Sequence, residues 1–144
     1  MWPHNLVAVA LFLATAFNVD AIAKPGGDWS ATPQEVREWI ARQKQPDNPA
    51  FSCCGEADAY FADTFEVADG KVFAIITDDR DDFPLGRPHV PVGTRIEVPP
   101  NKMVDSRNDV NPSGHGVIFL MNYVDEDSGE YSNSVLCFVP GSGV

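Results

Sequence analysis

The spacing of apolar residues changes along the chain, and each change predicts a different element. After Thr32, the apolar positions Val36, Trp39 and Ile40 recur at helical spacing, while Arg37, Glu38, Arg42 and Lys44 take the other face. Residues at i, i+3 and i+4 share one side of a helix, so this pattern predicts an amphipathic helix over residues 33–44. Thr32 is placed to cap it, Pro33 suits its first position, and Glu35 can reach back to close a capping box. Glu38 and Arg42 are spaced as an i,i+4 ion pair, and Pro46 stops the element.

Beyond the helix the period shortens. Residues 64–67 (TFEV) and 71–77 (KVFAIIT) flank Ala68-Asp69-Gly70, a tight hairpin signal. Residues 116–124 (GVIFLMNYV) and 131–139 (YSNSVLCFV) are two further β-prone runs, joined by 125–130 (DEDSGE). Between these hairpins, residues 94–98 (TRIEV) form a shorter strand that Pro99-Pro100 terminates. The predicted fold class is α+β: an N-terminal amphipathic helix packed on an antiparallel sheet or small barrel of about five strands. Trp29 and Trp39 are expected in the core, with Tyr60 and Phe61 beneath the helix.

Two connections lack any sustained period, residues 78–91 (DDRDDFPLGRPHVP) and 101–114 (NKMVDSRNDVNPSG). Irregular segments of that length in a small domain are usually functional. They are the expected contact surface, with Asp78, Asp79, Asp81, Asp82, Lys102 and Asn111 as contact residues. Arg87 and Arg95 are expected to neutralise the aspartate run.

Residues 6–17 (LVAVALFLATAF) are apolar but shorter than the roughly 20 residues a membrane-spanning helix needs. Ala21-Ile22-Ala23 follows as an A-x-A cleavage pattern. This predicts a signal peptide over residues 1–23 and a single secreted domain over 24–144, periplasmic or extracellular, without membrane attachment after cleavage. The formal charge of −11 repels phosphates, which argues against nucleic acid and anionic lipid as partners. A protein or small-molecule partner of cationic character suits it better.

The chain has three cysteines, and in an oxidising compartment pairs of them bond. Cys137, in the last predicted strand, is expected to bond Cys53 or Cys54. Closing a loop of that size removes denatured-state entropy amounting to about 4 kcal/mol of stability. A bond between the adjacent pair is disfavoured, because neighbouring Cα atoms lie about 3.8 Å apart, below the usual disulfide range. One thiol is left over, free to link two chains into a dimer or to act chemically.

As a nucleophile the spare thiol would be Cys54, preceding a short predicted helix over 57–61, with His115 as its base. Asn122 or Asp105 is the nominal third member. A nucleophile at a helix start followed by a histidine at the head of a strand is similar in order to NlpC/P60 cell-wall peptidases, although Cys53-Cys54-Gly55-Glu56 lacks that family's D-C-S-G motif. No zinc-type ligand spacing is present. Asp78, Asp79, Asp81 and Asp82, and likewise Asp125, Asp127 and Glu130, cluster without matching the D-x-D-x-D-G calcium loop. No metal or cofactor is expected, and a calcium-stabilised structural protein is the third functional class considered.

The ordered set Ser52–Tyr60 (SCCGEADAY), Glu97–Lys102 (EVPPNK), Asn111–His115 (NPSGH) and Leu136–Pro140 (LCFVP) resembles a group of small exported proteins of bacteria and their phages. Many of these carry two further cysteines that this chain lacks. The resemblance implies export and one fold across the mature chain, and brings no activity with it. The expected function is a secreted, non-enzymatic binding or interaction module, with the Cys54/His115 hydrolase as its alternative.

Overall fold

Val36, Trp39 and Ile40 are all buried on α1 (Gln34–Arg42), which realises the predicted apolar stripe. The structure is a computed structural model that describes residues 27–54, 57–124, 127–129 and 131–141. The predicted signal peptide lies outside these, as do Gly55, Glu56, Asp125, Glu126 and Glu130. The capping box does not form. Pro33 occupies the cap position, its carbonyl accepts from Val36 N at 3.0 Å and Arg37 N at 3.1 Å, and no side chain caps the helix. Thr32 is buried instead, in the turn where its N–H reaches Trp29 O at 2.9 Å. Arg42 does not pair with Glu38 but reaches Asp109 at 2.9 Å, while Glu38 accepts from Gln34 at 2.7 Å.

Strands number eight among the described residues, in three antiparallel sheets rather than one of five. β1 (Lys44–Gln45) and β2 (Asn48–Ser52) make a small ribbon where the sequence pattern shows only a proline-rich stop. β3 (Asp58–Phe61), β7 (Val117–Val124) and β8 (Tyr131–Val139) form a sheet in the order β3-β7-β8. β4 (Thr64–Ala68), β5 (Lys71–Ile75) and β6 (Arg95–Val98) form another in the order β4-β5-β6. The β4–β5 turn has positive φ at Asp69 (53°) and Gly70 (74°), the backbone that a two-residue hairpin loop requires.

The middle layer is β3-β7-β8, covered on both faces. Ala59, Val117, Phe119, Cys137 and Val139 pack with Trp29, Val36, Trp39 and Ile40 on the helix side. Tyr60, Ile118, Leu120, Val135 and Phe138 pack on the other side with Ala74, Ile76, Ile96 and Val98 of the second sheet region. Phe61 belongs beneath the helix as expected, whereas Tyr60 faces away from it. The short helix predicted after Cys54 is absent. Residues 58–61 pair with 117–120, because so brief a helix cannot offset its nucleation cost while β7 offers a full ladder.

Phe119 stands opposite Cys137 and Leu120 opposite Val135, so Leu136 is an extra residue on β8. This bulge puts Leu136 and Cys137 both on the helix side, where Cys137 meets Cys53. The disulfide is Cys53–Cys137, spanning 84 residues, and Cys54 is a free, buried thiol. Mapping of the unreduced protein should therefore show one alkylatable thiol, Cys54, that reacts only on unfolding. Replacing both Cys53 and Cys137 by alanine should lower the unfolding free energy by about 2–5 kcal/mol in denaturant titrations.

Candidate functional site

Asp78 opens the first irregular segment, and its side chain is wholly buried. One carboxylate oxygen accepts from Phe61 N on β3 at 2.9 Å, from Arg80 Nη2 at 2.6 Å and from Arg87 Nη1 at 2.8 Å; the other accepts from Arg80 Nε at 2.8 Å. Burial pushes the Asp78 pKa up, but the bonds from Arg80 and Arg87 outweigh it, and the carboxyl is held far below its ordinary range. Arg87, itself 1 % exposed at the side chain, also donates to Ala59 O at 2.6 Å and to Asp82 Oδ1 at 2.5 Å, and lies over the Tyr60 ring. Its pKa is raised: burial opposes its charge, and the pairing with Asp78 and Asp82 more than restores it. The other face of Tyr60's role is polar, since its hydroxyl donates to Pro88 O at 2.7 Å.

Phe61 carries the geometry outward from this cluster. The Arg80 guanidinium carbon lies 3.8 Å from its ring centroid, and the His115 ring stacks on it at 4.1 Å with 15° between planes. Two groups so close to one centroid cannot share a face, so Phe61 is held between Arg80 and His115. Trp29 extends the stack beyond Arg80, at 5.7 Å.

His115 is fixed at every point but one. Its N–H donates to Ser113 Oγ at 3.1 Å, and its carbonyl accepts from Asn111 Nδ2 at 2.5 Å. Asn111 is buried, and its Oδ1 accepts from Ser113 N and Ser113 Oγ, which knots the N-P-S-G-H turn on itself. The ring Nδ1 meets Asp63 Oδ1 at 2.9 Å. Asp63 is held in turn by Thr77 Oγ1 at 2.7 Å and Gly116 N at 3.1 Å. A Cβ at position 116 would come within 2.2 Å of Ala62 O, so only glycine lets these strands approach closely enough. Nε2 of His115 has no protein partner among the described residues.

A pocket of about 330 Å³ opens here. Ala31, Thr32, Pro33, Glu35 and Val36 line it from the start of α1, Phe61 from β3, Arg80 from the first irregular segment, and Pro112, Ser113 and His115 from the end of the second. The uncapped start of α1 adds its positive dipole end to the wall.

Most of the expected contact residues are engaged within the fold, though only Asp78 and Asn111 are buried. Asp78 is buried, Asp81 caps the short helix α2 (Asp82–Leu85) through Phe83 N, and Asp82 holds Arg87 and His89. Asp79 alone of that run is exposed without a partner role. Lys102 pairs with Asp47 at 2.7 Å, fastening the second segment to the β1–β2 turn, and Asn111 supports His115. Arg87 neutralises the aspartates as expected, while Arg95 pairs with Glu66 and stacks on Phe73. Among the described residues no group of three or more His, Cys, Asp or Glu side chains is arranged to hold a metal ion. Cys54 and His115 are not joined: the thiol contacts Ser52 Oγ at 3.3 Å, and the imidazole contacts Asp63. Of the nominal third members, Asn122 donates to Tyr60 and Asp105 pairs with Arg107. Asp63 and Arg80 are the site residues that the sequence pattern did not single out. Compared with protein-family models, curated proteins and solved structures, the chain matches none.

Asp78→Asn should cost about 3–5 kcal/mol, because it leaves Arg87 buried beside a neutral partner. The depressed Asp78 pKa means that its stabilisation is fully present above the ordinary carboxylate value near 4 and is lost as pH falls toward the folded-state value. Acid unfolding below about pH 4 should accordingly be shallower in Asp78→Asn than in the parent, measured by circular dichroism across pH.

Proposed function

We propose that the protein is an exported binding module that takes a small molecule, or one side chain of a protein partner, into the pocket beside His115. One observation carries this reading. The two irregular segments, on either side of β6, deliver Arg80 and Pro112-Ser113 to the same pocket, and around it His115 is held by its backbone, its Nδ1 and its ring face. Pockets of this size with a few convergent polar groups are the usual form of a small-ligand site. The formal charge of −11 favours a partner of cationic character for the surrounding surface.

Export is supported by the 1–23 leader pattern and by the Cys53–Cys137 bond, which belongs to oxidising compartments. Among the described residues no helix is long and apolar enough to cross a membrane. The ordered motifs support kinship with small exported bacterial and phage proteins. The Cys54/His115 hydrolase is less well supported, since a buried thiol bonded to Ser52 has no base within reach. The calcium class is likewise less supported, because Asp78 and Asp82 are already engaged by arginines.

Secreted protein should begin at Lys24 by N-terminal sequencing. In ¹H–¹⁵N NMR titrations of that mature chain with a panel of small acids, amines and short peptides, at least one compound should shift resonances confined to the pocket lining. Ala31→Trp, at an exposed position on the pocket wall, should abolish those shifts. Shifts that persist in this variant would place the ligand elsewhere.

A further inference from the structure

Of all the polar groups that line the pocket, His115 is built most like a reacting one. The orienting carboxylate Asp63 lies 2.9 Å from Nδ1, and Thr77 Oγ1 and Gly116 N fix that carboxylate. A second-line acceptor on Nδ1 sets the tautomer in which Nδ1 carries the proton and Nε2 offers its lone pair. The ring is clamped against Phe61, 46 % of the side chain remains exposed, and no protein nucleophile is bonded to Nε2 among the described residues. A base that is oriented, open and without a protein nucleophile has the geometry to take a proton from water.

We propose that His115, oriented by Asp63, is a general base that activates water for the hydrolysis of small carboxylic esters in this pocket. The inference rests on the pocket being a ligand site. His115 Nε2 takes a proton from water as the water oxygen bonds to the ester carbonyl carbon. The tetrahedral adduct then breaks its bond to the alkoxide, which leaves with the proton returned from the imidazolium; nothing is oxidised or reduced. An ester is the acyl bond suited to a single base, since its leaving oxygen needs less help from an acid than an amide nitrogen does. Ala31, Pro33, Val36 and Pro112 offer an apolar wall for the acyl chain. Arg80, paired with Asp78, lines the same pocket across Phe61 from His115, and its Nη1 has no partner among the described residues. Asp63 is a positioning residue.

The test uses the mature chain with 4-nitrophenyl butyrate as substrate and butyrate as a non-reacting probe followed by NMR. Saturable release of nitrophenolate is expected, falling about 10²-fold or more in His115→Gln and in His115→Asn, each checked for a native NMR spectrum. Asp63→Asn should lower kcat at least about tenfold with KM within about twofold, a split that a merely structural loss would not give. Butyrate shifts at the pocket without turnover would overturn the general base and leave the binding reading standing. Absence of both would overturn both. Turnover that survives in both His115 variants, or that disappears in Cys54→Ala, would also overturn the proposal.

Discussion

A single buried carboxylate organises the molecule around the pocket. Withdrawing Asp78 and Arg87 from water costs several kcal/mol for each ion, so the pair is tolerable only with its remaining valences filled. They are filled from three directions: β3 donates Phe61 N and accepts through Ala59 O, Arg80 folds back from two residues on, and Asp82 closes the cluster. Each of these bonds also sets a position. Phe61 is fixed along β3, Arg80 is laid flat on its ring, and the segment from 78 to 88 is drawn against the middle sheet. A well-packed apolar group of equal size could match the stability of such a cluster. What apolar packing could not supply is the directed placement of Arg80 and Phe61 at the pocket.

The middle sheet provides the rigid base for this. β7 runs Val117-Ile118-Phe119-Leu120 with every side chain buried, because the helix covers one face and the second sheet the other. An unbroken apolar run is the mark of a strand without a solvent face. Its N-terminal end is where His115 and Gly116 sit, so the imidazole is mounted at the most buried strand of the fold. Fastening of β8 to the segment after α1 through Cys53–Cys137 fixes the opposite edge of the same layer.

The parts legible in the sequence were those decided by local period or by chain arithmetic. The stripe Val36-Trp39-Ile40, the Asp69-Gly70 turn and the β7–β8 hairpin follow from spacing alone, and a bond from Cys137 to the 53/54 pair follows from the compartment that the leader pattern predicts and from the strain of bonding adjacent cysteines. The β1–β2 ribbon was hidden by Pro46 and Pro49, which mark breaks in most contexts and here lie in a turn and on a short exposed strand. β3 was hidden because Asp58-Ala59-Tyr60-Phe61 has no β-branched residue and becomes a strand only beside β7. His115 was recognised as a chemical group, yet its partner was not. Asp63 lies 52 residues away across a packing that no local pattern encodes, and Arg80 is embedded in an acidic run that reads as a solvated loop.

The two reactive side chains of the chain have opposite surroundings, and the contrast bears on which chemistry the fold can support. Cys54 follows a disulfide-bonded cysteine into the helix-side core, where it is buried and Ser52 is its polar contact. His115 is half exposed, beside a carboxylate that favours its reactive tautomer, at the rim of a pocket that both irregular segments help to build. A nucleophile needs access and a base, and Cys54 has neither. A base needs orientation and an open nitrogen, and His115 has both. The chemistry proposed for the site therefore centres on imidazole and solvent rather than on sulfur, even though the adjacent cysteines are the more conspicuous feature of the sequence.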